Sequence, residues 1–147
     1  MATLIPDVVR NQSICALRET ASVAEAARRM GDHDIGAIVV VDDRGHLSGI
    51  VTERDVTRRA VAERLDPDRT TVGQIMTRNP DSLPPQASPI EALELMSIRR
   101  FRHLPVVEAG RVVGIVSIRD LCDVMRLILE EFDLGDEATL FEDLSGG

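Results

Sequence analysis

The chain is written twice, and this repetition constrains its fold more than any other feature. Ser22-Val-Ala-Glu25-Ala26 returns as Ser88-Pro-Ile-Glu91-Ala92 at an offset of 66. Gly49-Ile-Val-Thr52-Glu-Arg54-Asp55 returns as Gly114-Ile-Val-Ser117-Ile-Arg119-Asp120 at an offset of 65. The lost residue falls in the turn between, where Asp42-Asp43-Arg44-Gly45 faces Glu108-Ala109-Gly110. Two ordered matches with one turn deletion indicate a repeated structural unit. Each unit has only about 60 residues, a size at which burial is marginal. Two units stacking their apolar faces is the economical solution.

Each unit has the same grammar. Leu17 and Leu83 close a short extended segment. Ser22 and Ser88 read as helix N-caps, with Glu25 and Glu91 three residues later in the reciprocal capping pattern. Pro89 falls at a first helical position, where its missing N–H costs nothing. Val23, Ala26, Ala27 and Met30 recur at helical spacing, as do Ile90, Leu93 and Met96. The apolar runs Ala37–Val41 and Leu104–Val107 read as strands covered on both faces. Asp43-Arg44-Gly45 and Ala109-Gly110 turn them back into Leu47–Val51 and Val112–Val116 as hairpins. A second helix starts at Thr52 and at Ser117. The expected fold is mixed α/β (α+β), a tandem β-α-β-β-α pair with pseudo-twofold symmetry. The expected division is motif 1 over 8–65, a polar linker over 66–71, motif 2 over 72–130 and an acidic tail over 131–147. The last helix is expected to fray towards Ser145-Gly-Gly147.

Composition narrows the function. A hydrophobic fraction of 44% suffices for a core, which must be aliphatic, because Phe101, Phe132 and Phe141 are the only aromatic residues. A formal net charge of -8 repels nucleic-acid backbones, so any anionic ligand needs a local basic pocket. Cys15 and Cys122 lack metal-site spacing and fit a reducing compartment. The N-terminus shows no secretory pattern, and the apolar stretch around Ile35 to Val41 is far below the ~20 residues of a membrane helix. The expectation from these features is a cytoplasmic protein with neither nucleic acid nor membrane as partner. Asp32-His33-Asp34 is a poor metal site, since adjacent side chains splay apart and no further ligand is evident. No nucleophile–base pattern suggests an enzyme.

The repeat ending in Gly-h-h-(Thr/Ser)-x-x-Asp, where h is apolar, resembles the motif of cystathionine-β-synthase-type (CBS) domains. His103-Leu-Pro-Val-Val107 and the lead-in Val72-Gly-Gln-Ile-Met-Thr77 are further points of likeness. The resemblance covers roughly residues 8 to 130 and suggests a stand-alone module of the bacterial type. It implies two clefts between the halves that take AMP, ADP, ATP or S-adenosylmethionine, no required cofactor, and an unknown regulated protein. A purely structural pair with degenerate sites is the alternative. CBS pairs also commonly dimerise through their helices. Leu121, Val124, Met125 and Ile128 supply apolar surface for a homodimer.

Within such a cleft, Thr52 and Ser117 either cap a helix or help seat a phosphate beside unpaired backbone N–H groups. Asp55 and Asp120 either cap or accept the ribose hydroxyls. Family likeness sets Arg102 and His103 against phosphate, where the first half has Gly36 and Ala37, and Arg119 and Arg54 add charge. By the same likeness Leu83, Phe101 and Ile115 line the base slot of the second site, and Leu17, Ile35 and Ile50 that of the first. The expectation is that the second site (Ser117, Asp120, Arg102, His103) dominates and that Arg54 matters little. Through His103, affinity is expected to rise as pH falls from about 8 to 6.

Overall fold

The β-branched runs form the two hairpins expected of them. In the computed structural model, which describes residues 1–145 with side chains described for 1–132, β2 (Ala37–Val41) pairs antiparallel with β3 (Leu47–Thr52), and β5 (His103–Glu108) with β6 (Arg111–Ser117). Each hairpin carries one register irregularity, at Val40/Val41 and at Val106/Val107, 66 positions apart like the sequence repeat. β1 (Ala16–Leu17) lies parallel to β2 with Leu17 opposite Val40. Leu83 bridges Val106 in the same parallel sense, so both halves have the extended-helix-hairpin order.

The helices begin where their caps say. α1 (Val23–His33) starts after Ser22, whose hydroxyl accepts the Glu25 N–H at 3.0 Å. α4 (Pro89–Arg99) starts after Ser88 with the full reciprocal pair to Glu91. α2 (Glu53–Asp55) follows β3 directly and runs on as a wider coil over Val56–Val61. α5 (Ile118–Ser145) follows β6, and its bounds extend through most of the segment that the sequence sets apart as a tail. The expected frayed end at Gly146 and Gly147 lies outside the described residues. No helix among the described residues is long and apolar enough to cross a membrane.

Packing crosses the repeat boundary. One core holds Val23, Ile38, Val40 and Val51 of the first half, but also Val72, Ile75 and Met76 from α3 (Val72–Ile75) and the residue after it. β4 (Thr77–Arg78) then pairs with β3 and completes a four-stranded sheet. The other core holds Leu104, Val106, Val116 and Leu121, together with the fully buried Leu4 from the N-terminal coil. Leu4 and Ile5 donate their N–H groups to Ala87 and Pro85 carbonyls. Each lead-in segment therefore docks on the opposite hairpin. The polar stretch Asp66–Thr70 is a tight turn whose Pro67 and Thr70 carbonyls receive the N–H groups of Ala24 and Val23.

Candidate functional site

The two capped helix starts differ from the sequence expectation in one chemical respect. Most of their backbone donors are already engaged. Glu53 N–H donates to the Gly36 carbonyl at 3.0 Å, and Ile118 N–H to the Arg102 carbonyl at 2.8 Å. Asp55 N–H donates to Thr52 Oγ1 at 3.2 Å, while Thr52 N–H donates to Asp55 Oδ2 at 2.9 Å. Thr52 Oγ1 also donates to that carboxylate oxygen at 3.1 Å. Ser117 and Asp120 repeat the box at 2.9 and 3.0 Å. The hydroxyls and the flanking amides expected to face a ligand thus satisfy one another, and of the backbone donors the Arg54 and Arg119 N–H groups are left to join side-chain cations in holding an anion. Each aspartate keeps one carboxylate oxygen outside the box. For the buried Asp55 this is Oδ1, 3.7 Å from Arg59 Nε.

Those cations converge on a cleft of about 480 Å³ between the halves, a volume within the range of small-molecule sites. The first half contributes Gly36, Ile50 and the stretch Thr52–Asp55, with Arg59. The connector contributes Thr77 and Asn79–Asp81, and the end of α4 with the start of β5 contributes Arg99–His103. Five arginines and three carboxylates therefore line one cleft of a protein with net charge -8. Two arginines are compensated within it. Arg59 faces Asp55 and donates to the Ile75 and Met76 carbonyls at 3.1 and 3.2 Å. Arg99 Nε lies 3.5 Å from Asp81. Among the described residues, Arg54, Arg100 and Arg102 make no ion pair within 4 Å.

This grouping differs from that of the sequence reading. Phe101, Arg102 and His103 share the cleft with Ile50, Thr52, Arg54 and Asp55. Ser117, Asp120, Arg119, Leu83 and Ile115 do not line it. The cause is the pseudo-twofold arrangement: the start of the second hairpin faces the end of the first, so the cleft joins Arg54, Asp55 and Arg59 of one repeat to Arg99, Arg100, Arg102 and His103 of the other. Arg54 consequently lines the same cleft as Arg102, whereas the sequence reading assigned the two to different sites. Leu17 is buried in the first core, Ile35 packs against that core, and Leu83 packs against the second.

The unequal halves also gain a steric reason. A Cβ added at Gly36 would lie 3.1 Å from His103 Nε2. The residue just before the first hairpin thus meets the first residue of the second, and its lack of a side chain leaves room for the imidazole. His103 is half-buried, and burial lowers its pKa below the usual 6.5. Glu53 and Asp120 oppose this shift, while Arg102 adds to it.

In the second half, the backbone edge of Ile115 has a different partner. Gln12 Oε1 accepts the Ile115 N–H at 2.8 Å, and Gln12 Nε2 donates to the Ile115 carbonyl at 3.0 Å. In the first half, the equivalent Ile50 pairs with Thr77 of β4. Sequence reasoning missed Gln12 because no motif marks a side chain that stands in for a strand. It missed Asn79, Pro80 and Asp81 because the connector differs between the repeats. The basic run Arg99-Arg100 was visible, but it carried no assignment beyond its neighbours.

Comparison with known proteins agrees with this architecture. The family model described as the CBS domain matches residues 6–62 and 72–127. A CBS domain-containing protein of Arabidopsis thaliana is 40% identical over 75% of this chain, which spans only 20% of that longer protein. The structure of a putative signal-transduction protein with CBS domains from Burkholderia ambifaria superposes with a TM-score of 0.78 at 33% identity, covering 84% of this chain and 93% of the other. A CBS domain protein from Pyrobaculum aerophilum, solved in complex with AMP, gives 0.74 at 32% identity, covering 82% and 92%. Both repeats match the family model, and the paired hairpins and helices superpose on its solved members: this chain belongs to the CBS domain family.

Proposed function

We propose that the chain is a regulatory module that senses an adenosine nucleotide in the cleft lined by Asp55, Arg54, Arg100, Arg102 and His103. The observation that carries this reading is the concentration of uncompensated arginines in one small-molecule-sized cleft of an acidic protein. A phosphate can draw on Arg54, Arg100 and Arg102. The Asp55 oxygen left outside the cap is suited to a ribose diol, and Ile50 with Phe101 offers apolar surface to a base. The AMP complex of the Pyrobaculum relative supports the ligand class. Among AMP, ADP, ATP and S-adenosylmethionine, the arginines favour the phosphorylated ligands. Binding would bridge the halves and shift the population of the form that an unknown partner protein recognises. The module would work as a homodimer in a reducing cytoplasm, without catalysis of its own and without a required cofactor.

Calorimetry against these four ligands and adenosine tests the reading. Arg102→Ala is expected to weaken AMP binding by about 1.5–3 kcal/mol, the range for hydrogen bonds to charged groups, and Arg54→Ala to weaken it in the same direction. Ser117→Ala, outside the cleft, should leave the main binding event unchanged. An absence of heat and of melting shift with every ligand would favour a purely structural pair. A main event lost in Ser117→Ala and kept in Arg102→Ala would move the site to the other face.

A further inference from the structure

Arg59 lines the cleft, yet its guanidinium is engaged with the protein itself. Its Nη1 donates to the Ile75 and Met76 carbonyls at 3.1 and 3.2 Å, at the end of α3. These two bonds restrict the side chain before any ligand arrives. Its Nε lies 3.7 Å from Asp55 Oδ1. That oxygen is at ion-pair distance but beyond hydrogen-bond reach, so it can still accept a hydroxyl. The other oxygen, Oδ2, is held by the Thr52 N–H and hydroxyl at 2.9 and 3.1 Å. The cap itself does not need the arginine. Asp55 returns in the second repeat as Asp120, but Arg59 returns at the same offset of 65 as Val124. The reciprocal box of Ser117 and Asp120 is nonetheless complete. The cation therefore accompanies only the aspartate that lines the cleft.

We propose that Arg59 is a positioning residue for the sugar: it fixes the direction of Asp55 Oδ1 and ties that oxygen to the segment leading into the connector wall of the cleft, Thr77 and Asn79–Asp81. The inference rests on the nucleotide-sensing reading above and concerns the ribose end of the ligand, not its phosphate. A group that acts through Asp55 alters the recognition of a ribose hydroxyl and leaves the rest of the ligand's contacts alone. Its removal therefore has a ligand-dependent signature that a general loosening of the fold lacks.

The test is calorimetry with adenosine, 2′-deoxyadenosine and AMP on wild type, Arg59→Met, Arg59→Lys and Arg58→Met. Arg59→Met keeps the aliphatic stem. It should weaken adenosine and AMP by the same factor, about five-fold, the upper end of what a partly exposed ion pair supplies. Binding of 2′-deoxyadenosine should stay unchanged, so the wild-type preference for the 2′-hydroxyl collapses. Arg59→Lys keeps a charge near Asp55 and should retain part of that preference. Should Arg59→Met fail to fold, the partial loss in Arg59→Lys carries the comparison. Arg58→Met, at an exposed arginine that does not line the cleft, should leave all three affinities unchanged. Equal loss for all three ligands would make Arg59 a structural residue, and loss confined to AMP would make it a phosphate contact. Either result overturns the inference, as does an unchanged preference for the 2′-hydroxyl. A wild type that binds AMP but does not distinguish adenosine from 2′-deoxyadenosine overturns the inference while the sensing reading stands. A wild type that binds none of the three ends both.

Discussion

At the scale of single residues, the sequence made the chemistry legible but not its partnership. Thr52, Asp55, Ser117 and Asp120 were recognisable as a repeated motif, and their capping geometry follows from the three-residue spacing. Which cleft Arg102 and His103 enter was not legible, because it depends on how one hairpin faces the other rather than on anything within a repeat. His103 gives a pH signature that differs from the sequence expectation. Burial lowers its pKa, so the folded state favours the neutral imidazole. As pH falls through 6.5, the ordinary histidine value, the unfolded chain takes up a proton before the folded one does. Stability is therefore fully present above that pH and is lost as pH falls towards the lowered folded value. His103→Gln should flatten this acid-side slope in denaturant melts between pH 7 and 5. A slope unchanged in the variant would assign the acid sensitivity to other groups. A bound phosphate favours the imidazolium, so the rise in nucleotide affinity should also sit below the window from 8 to 6 expected for an unburied histidine.

At the scale of elements, the hairpins and capped helices were legible because each is decided locally, by β-branched runs, turn residues and Ser-x-x-Glu spacing. The apolar face of α5 was only half legible. Leu121 is buried in its own core, and Val124 and Ile128 lie half-buried against the N-terminal residues. The side chains left outward are Leu127, Leu129 and Phe132, at 58%, 57% and 75% exposure. Met125, Leu129 and Phe132 stand four and three residues apart, spacing that puts them on one stripe of the helix. Light scattering at tens of micromolar should return a dimer mass for the wild type. Phe132→Glu, which removes an exposed residue and no core contact, should shift the species towards monomer without lowering its melting temperature at high dilution. A monomer mass for wild type, or a dimer indifferent to Phe132→Glu, would exclude this helix as the interface.

At the scale of the whole molecule, the pairing of two repeats was legible from the offset alone, but their interleaving was not. Sequence places residues 72–78 with the second repeat, whereas Val72, Ile75 and Met76 complete the first core and Thr77 completes its sheet. The N-terminal coil does the reverse, with Leu4 buried in the second core and Gln12 closing the Ile115 strand edge. Periodicity reports which face of a segment is apolar, not which of two similar sheets it will cover. The exchange has a practical consequence. Cut within the 66–71 turn, the chain yields two pieces, and each carries a segment that the other's core lacks without it. Truncation of a buried leucine alone costs about 2–5 kcal/mol, so losing a whole docked segment should leave either piece unable to fold by itself. Co-expressed, 1–65 and 66–147 should recover one folded complex with the circular dichroism of the intact chain, whereas each alone should stay unfolded or insoluble. A piece that folds cooperatively on its own would refute the mutual dependence. On that outcome the module would serve as a split protein, whose reassembly could report whether two proteins fused to its pieces have come together.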